Sequence, residues 1–81
     1  IKLITKNSFL VKGDVTIRDL NREININLPA TNASTIAGLI IYESRTIPQN
    51  AQIFSFYQIK FEIIAKKNNQ ITLLKVTKKK N

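Results

Sequence analysis

Apolar and polar positions alternate in two-residue steps at both ends of the chain and in three-to-four-residue steps between them. Ile1 to Ile4 is a short apolar run that reads as an edge strand, with a turn at Lys6-Asn7. Ser8-Phe9-Leu10-Val11-Lys12 reads as a second strand, stopped by Gly13-Asp14, where a glycine is expected to supply a backbone angle that other residues avoid. Ile17, Leu20 and Ile24 then fall at i, i+3 and i+7, which predicts one apolar stripe on a helix of about ten residues. Thr16 stands as its N-cap, and Asp19 three residues on is placed to close an acidic capping box. The helix is expected to end near Asn25, and Leu28-Pro29 leads into the polar loop Ala30-Thr31-Asn32-Ala33.

The stretch from Ser34 to Arg45 carries two signals. Its β-branched residues favour a strand, but Ile36, Leu39, Ile40 and Ser44 share a helical face. A Ser/Thr cap precedes them, and Arg45 lies near the end, where a cation suits the helix dipole. We read a helix, closed by Ile47-Pro48 because the residue before proline is pushed out of helical conformation. Gly38 would then let another element approach closely. Beyond it, Ile53, Phe54 and Phe56 make a strand that Tyr57-Gln58 turns back into Ile59-Lys60-Phe61. A turn centred on Asn68-Asn69, residues that tolerate positive φ, sets Lys67 opposite Gln70, Ala65 opposite Thr72, Ile63 opposite Leu74 and Phe61 opposite Val76. Phe61, Ile63, Leu74 and Val76 then share one apolar face, and Glu62 meets Lys75 on the other as a favourable cross-strand charge pair. The expected fold class is α+β: one small domain, an antiparallel sheet of four to five strands with two helices packed on one face.

Composition narrows the function. The 81 residues are 43% hydrophobic and 22% charged, a globular balance for a single domain. No apolar run approaches the ~20 residues of a membrane-spanning helix, and the opening Ile1-Lys2-Leu3 carries no secretory pattern. With neither Cys nor His, disulfides, thiolate chemistry and the commonest metal ligand and acid–base side chain are missing. Ser8, Ser34, Ser44 and Ser55 have no histidine to activate them, and Tyr42 and Tyr57 read as amphipathic residues at the core edge. The acids are Asp14, Asp19, Glu23, Glu43 and Glu62. Capping, the strand pair and the helix surface account for Asp19, Glu62 and Glu23 more simply than a cation site does. No catalytic residue, metal ligand or cofactor is expected.

The net charge of +8 is uneven. Residues 60–81 hold seven lysines against Glu62 alone, whereas residues 1–59 hold six bases against four acids. Lys66, Lys67 and Lys75–Lys80 would suit nucleic acid or an anionic membrane surface. A solvated tail is the simpler reading, since Ile, Lys and Asn, all encoded by AT-rich codons, supply 33 of the 81 residues. Arginine and exposed aromatics are scarce, so no specific nucleic-acid partner is expected. Strict alternation also leaves Ile64 and Leu73 together on the outer face of the last hairpin, an apolar pair suited to docking. The candidate interaction residues are Ile64, Leu73, Lys66, Lys67 and Lys75.

The order of motifs resembles a known family. Phe9-Leu10-Val11-Lys12-Gly13 followed by Thr16-Ile17-Arg18-Asp19-Leu20-Asn21 is similar to the opening strand and helix of the CorC/HlyC transporter-associated domain. Thr35-Ile36-Ala37-Gly38-Leu39-Ile40 resembles its second helix and Arg45-Thr46-Ile47-Pro48 the close of that helix. Ile59-Lys60-Phe61-Glu62-Ile63 and Ile71 to Val76 look like its last strands. The resemblance favours helix for Ser34 to Arg45. It covers roughly residues 7–77 and implies a domain over 1–77 with a basic C-terminal tail over 78–81. It further implies an accessory module behind paired CBS modules in bacterial proteins linked to magnesium and cobalt efflux or to hemolysin C. Such a module lies on the cytoplasmic side of the inner membrane. Its implied partners are the CBS and membrane domains of its own parent chain and, as alternatives, a second copy or an anionic membrane surface. The absence of an initiator Met fits a segment of such a longer chain. Three departures bear on turns: Ala51 and Tyr57-Gln58 stand where the family often has glycine, and Ser44 replaces the Gly before the Arg. Relatives are also often acidic, whereas this chain is basic.

Overall fold

A computed structural model describes residues 1–79 of the chain. Five strands and two helices follow in the order β1 (Lys2–Thr5), β2 (Ser8–Lys12), α1 (Ile17–Ile24), α2 (Ile36–Ser44), β3 (Ile53–Phe56), β4 (Ile59–Lys67) and β5 (Gln70–Lys78). The strands form one antiparallel sheet in the spatial order β1-β2-β5-β4-β3. Both helices bury their apolar stripes against the same face. Val11, Phe61, Ile63, Leu74 and Val76 from the sheet meet Ile17 and Leu20 of α1 and Ile36 and Ile40 of α2, all without solvent exposure. Each side chain of this kind contributes roughly 1.5–3 kcal/mol by leaving water.

The helices start side by side. Thr16 and Thr35 are their N-caps; each hydroxyl accepts from the backbone N–H three residues on, at 3.1 Å. The two caps also face one another across a β-bridge, closed by Ile17 N–H to the Ser34 carbonyl and Ile36 N–H to the Val15 carbonyl. Asp19 does not complete a capping box: its carboxylate takes the Arg22 guanidinium at 2.9 Å instead. α1 stops at Asn25 in left-handed conformation, and Lys78 Nζ donates to the Ile24 carbonyl at 2.9 Å. Lys78 is thus the last residue of β5 and a helix-end donor, so the structure continues one residue into the expected tail. Lys80 and Asn81 of that tail lie outside the described residues.

The final hairpin keeps the expected register at both ends, with Lys67 opposite Gln70, Ile63 opposite Leu74 and Phe61 opposite Val76. In between, Ala65 pairs with Leu73 and not with Thr72. Ile64 is an extra residue in β4, and Thr72 is an extra residue in β5 that restores the register. Gly13 packs directly against this irregular stretch of β5. A Cβ at Gly13 would stand 2.0 Å from the Ile71 carbonyl oxygen, and the Gly13 N–H donates to the Thr72 carbonyl. Its role is close backbone approach; the glycine is not at positive φ. At Gly38 no other helix or strand makes the close approach expected: the atoms nearest the place of a Cβ are Thr35 Oγ1 of the helix's own cap at 3.3 Å and Ala33 Cβ of the preceding loop at 3.4 Å.

Candidate docking surface

The face of the sheet turned away from the helices can be read strand by strand from the register. One cross-strand row runs Lys2, Leu10, Lys75, Glu62, Ile53. A second runs Lys12, Leu73, Ala65, and a third runs Ser8, Thr77, Lys60, Ser55. Alternation adds Lys67 beside the hairpin tip and Ile64 at the bulge. The apolar positions of the face are therefore Leu10, Leu73 and Ile64 on the inner strands and Ile53 on the edge strand β3; Lys2, Lys12, Lys60 and Lys67 lie at the strand ends, and Lys75 on the central strand sits between Leu10 and Glu62. Ile53 is 51% exposed and Ile64 39%, while Leu10 and Leu73 are half-buried by their neighbours. Ser8 and Thr77 close one end of the face with a hydroxyl–hydroxyl contact of 3.2 Å. A shallow depression of about 510 Å³ opens beside Leu73, lined by Lys12, Asp14, Ala65 and Gln70 among others.

The sequence candidates divide accordingly. Ile64, Leu73 and Lys75 come together on this face, and Lys67 flanks it. Lys66 does not join them: it is half-buried and its Nζ donates to the Pro48 carbonyl at 3.0 Å, which holds the α2–β3 loop to β4. The C-terminal lysines therefore form no single cluster, since Lys66 and Lys78 each serve a backbone carbonyl. Lys75 lies opposite Glu62, but among the described residues the ion pair within 4.0 Å is Arg22–Asp19, not this one. Lys2, Leu10, Lys12, Lys60 and Ile53 were not singled out in the sequence. Leu10 and Lys12 alternate with Phe9 and Val11, which was the available signal; the missing step was the long-range pairing of β2 with β5.

Charge is segregated by layer. The sheet face carries five lysines against Glu62, whereas Arg18 and Arg22 of α1 and Arg45 at the end of α2 belong to the helix layer with Asp19, Glu23 and Glu43. Arg45 rests over the Tyr42 ring at 5.1 Å. Tyr57, in the β3–β4 turn, donates its hydroxyl to Glu43 Oε2 and so ties that turn to α2. This hydrogen bond first, then desolvation and the negative charge of Glu43, hold the Tyr57 phenol above its usual range. All four phenylalanines point to the helix side: Phe9 pairs with Val76, Phe54 with Phe61 and Phe56 with Ile59. Phe54 and Phe56 stack at 5.9 Å against that edge of the core.

Among the described residues no three of His, Cys, Asp and Glu are grouped as a metal site would need. No buried polar side-chain atom there lacks a hydrogen-bond partner. No helix of the described residues is long and apolar enough to cross a membrane.

One open antiparallel sheet carrying two helices on one face is the architecture of a small α+β domain. The CorC_HlyC family, described as a transporter associated domain, matches residues 3–80, and the chain belongs to that family. It is 29% identical over 91% of its length to the magnesium and cobalt efflux protein CorC of Buchnera aphidicola, of which it covers 26%. It is 35% identical over 94% of its length to the polyamine export protein of Salmonella typhimurium, of which it covers 17%. The chain thus spans about a quarter or less of these relatives. A crystallised CorC_HlyC domain from Haemophilus ducreyi superimposes with a TM-score of 0.79 at 32% identity, covering 98% of this chain and 96% of that one. A domain from a Xylella fastidiosa hemolysin, solved in complex with Mg++ and Mn++, gives 0.79 at 25% identity and covers 90% of this chain and 89% of that one.

Proposed function

We propose that this chain is the non-catalytic regulatory module of a bacterial efflux-type membrane protein. It sits behind CBS modules on the cytoplasmic side of the inner membrane and modulates transport by docking its outer sheet face. The observation that carries the reading is that face: Ile64 on β4 and Ile53 on the edge strand β3 are exposed on a five-stranded sheet whose helices both lie on the other side. A face that only met water would be expected to alternate cleanly to polar residues there. Non-catalytic action is supported by the chain's lack of His and Cys and by acids engaged elsewhere, Asp19 with Arg22 and Glu43 with Tyr57. The docking partners lie within the parent assembly and its surroundings: its CBS and membrane domains, a second copy, or the membrane beside them.

The test is cation or polyamine export by the full-length parent with residues 1–81 intact, removed, or carrying Ile64→Glu with Leu73→Lys. Removal and the double substitution are both expected to change the export rate with the amount of parent in the membrane unchanged. Export that is identical in all three contradicts the reading.

A further inference from the structure

We infer that the partner of the outer sheet face is an anionic lipid surface. This rests on the docking role proposed above and names what the face docks on. Three observations favour a flat, negatively charged, partly apolar partner. The charge on the face is one-signed, with Lys2, Lys12, Lys60, Lys67 and Lys75 on four strands against Glu62 alone. The face is open across its full width, about 19 Å for five strands, and neither helix crosses it. Exposed aliphatic side chains, Ile64 on β4 and Ile53 on the edge strand β3, lie among these lysines.

That arrangement matches an interface in which isoleucines enter the acyl boundary. Lysine stems lie along the apolar surface with their ammonium groups among lipid phosphates. A second copy fits less well, because two faces of like charge on chains of net charge +8 would repel. Nucleic acid fits less well too. The face has no arginine and no aromatic ring for base stacking.

The experiment is sedimentation of the 81-residue chain with vesicles of phosphatidylcholine alone or with a third phosphatidylglycerol. Relatives of the same extent have been crystallised as separate domains, so the isolated chain is a fair probe. Binding is expected only with phosphatidylglycerol, falling several-fold between about 50 and about 200 mM salt. Lys12→Glu with Lys60→Glu, both exposed in the structure, is expected to lower partitioning by at least about 20-fold. Arg18→Glu with Arg22→Glu makes the same charge change on the helix side and is expected to retain more than half the binding. Ile64→Ser is expected to lose several-fold while leaving the salt dependence intact. Circular dichroism of each variant checks the fold.

Equal binding to both vesicle types, no binding to either, or equal loss from both double variants overturns the lipid assignment. So does a chain that ignores vesicles and retards a duplex DNA fragment. If vesicle binding fails while Lys12→Glu with Lys60→Glu in the full-length parent still alters export, the lipid partner is wrong and the docking role survives. If vesicle binding holds but export is indifferent to the same variant, the docking role fails instead.

Discussion

Ala51, Tyr57 and Gln58 show how much local strain this fold accepts. All three have positive φ, at 67°, 54° and 62°, and none is a glycine. They are the positions where the family resemblance led one to expect glycine, and the backbone keeps the left-handed geometry without it. Tyr57-Gln58 makes the two-residue turn between Phe56 and Ile59, and Ala51 donates its N–H to the Ile63 carbonyl at 2.8 Å. A non-glycine residue in this region costs about 1–2 kcal/mol, partly offset by the greater freedom glycine has when unfolded. Ala51→Gly and Gln58→Gly are each expected to stabilise the chain by about 0.5–1 kcal/mol, seen as a higher denaturant midpoint. Gly13→Ala goes the other way. Its Cβ would meet a backbone oxygen that cannot swing aside, so a loss of about 2–4 kcal/mol is expected in the same measurement.

Tyr57 adds a pH signature. Its raised phenol stabilises the fold fully at pH values below the ordinary tyrosine range near 10, and that contribution disappears as pH rises through the higher folded value. An absorbance titration in a Tyr42→Phe background is expected to show a midpoint above 10, returned toward 10 by Glu43→Gln. A midpoint unmoved by Glu43→Gln would break the link between that turn and α2.

Among the elements, α1 and the last hairpin were legible because each rests on short-range chemistry, whereas α2 had to be read against a competing β-branched signal and with the help of the family resemblance. Threonine caps three residues ahead of an N–H, apolar residues at helical spacing and an asparagine at positive φ are visible within a dozen residues of sequence. What sequence did not disclose was the paired bulges at Ile64 and Thr72. They cancel, so the pattern on either side is what an unbroken ladder would show. The side-chain bridge of Asn21 was equally hidden: its amide donates to the Leu28 carbonyl and accepts from the Leu28 N–H, both at 2.9 Å. This pair replaces the missing backbone partners of the segment after α1. Asn21→Ala removes both bonds from a half-buried site and is expected to cost about 1–2 kcal/mol. Asn21→Asp is expected to restore only the bond to the Leu28 N–H, so its unfolding midpoint should fall between those of Asn21→Ala and the unsubstituted chain.

At the scale of the molecule the decisive feature is the sorting of basic residues, lysines to the sheet and arginines to the helix layer. The sequence shows seven lysines in its last 22 residues, which draws attention to a tail. The fold redistributes them: Lys66 and Lys78 serve backbone carbonyls, while Lys60, Lys67 and Lys75 join Lys2 and Lys12 from the opposite end of the chain. That surface exists only once β5 lies between β2 and β4, a long-range pairing that no local pattern encodes. Ile64 and Leu73 were legible as outward-facing because they belong to one hairpin; their lysine surround was not.

The most direct test of the sheet face as the working surface is residue-specific labelling of the full-length parent in its native membrane, compared with the isolated chain. Acetylation would report on lysines and a dicarbonyl reagent on arginines, both read by mass spectrometry. Lys2, Lys12 and Lys60 are expected to be protected several-fold in the parent, with Arg18, Arg22 and Arg45 as reactive as in the isolated chain. Protection of the arginines with the lysines left open would place the working surface on the helices and contradict the account.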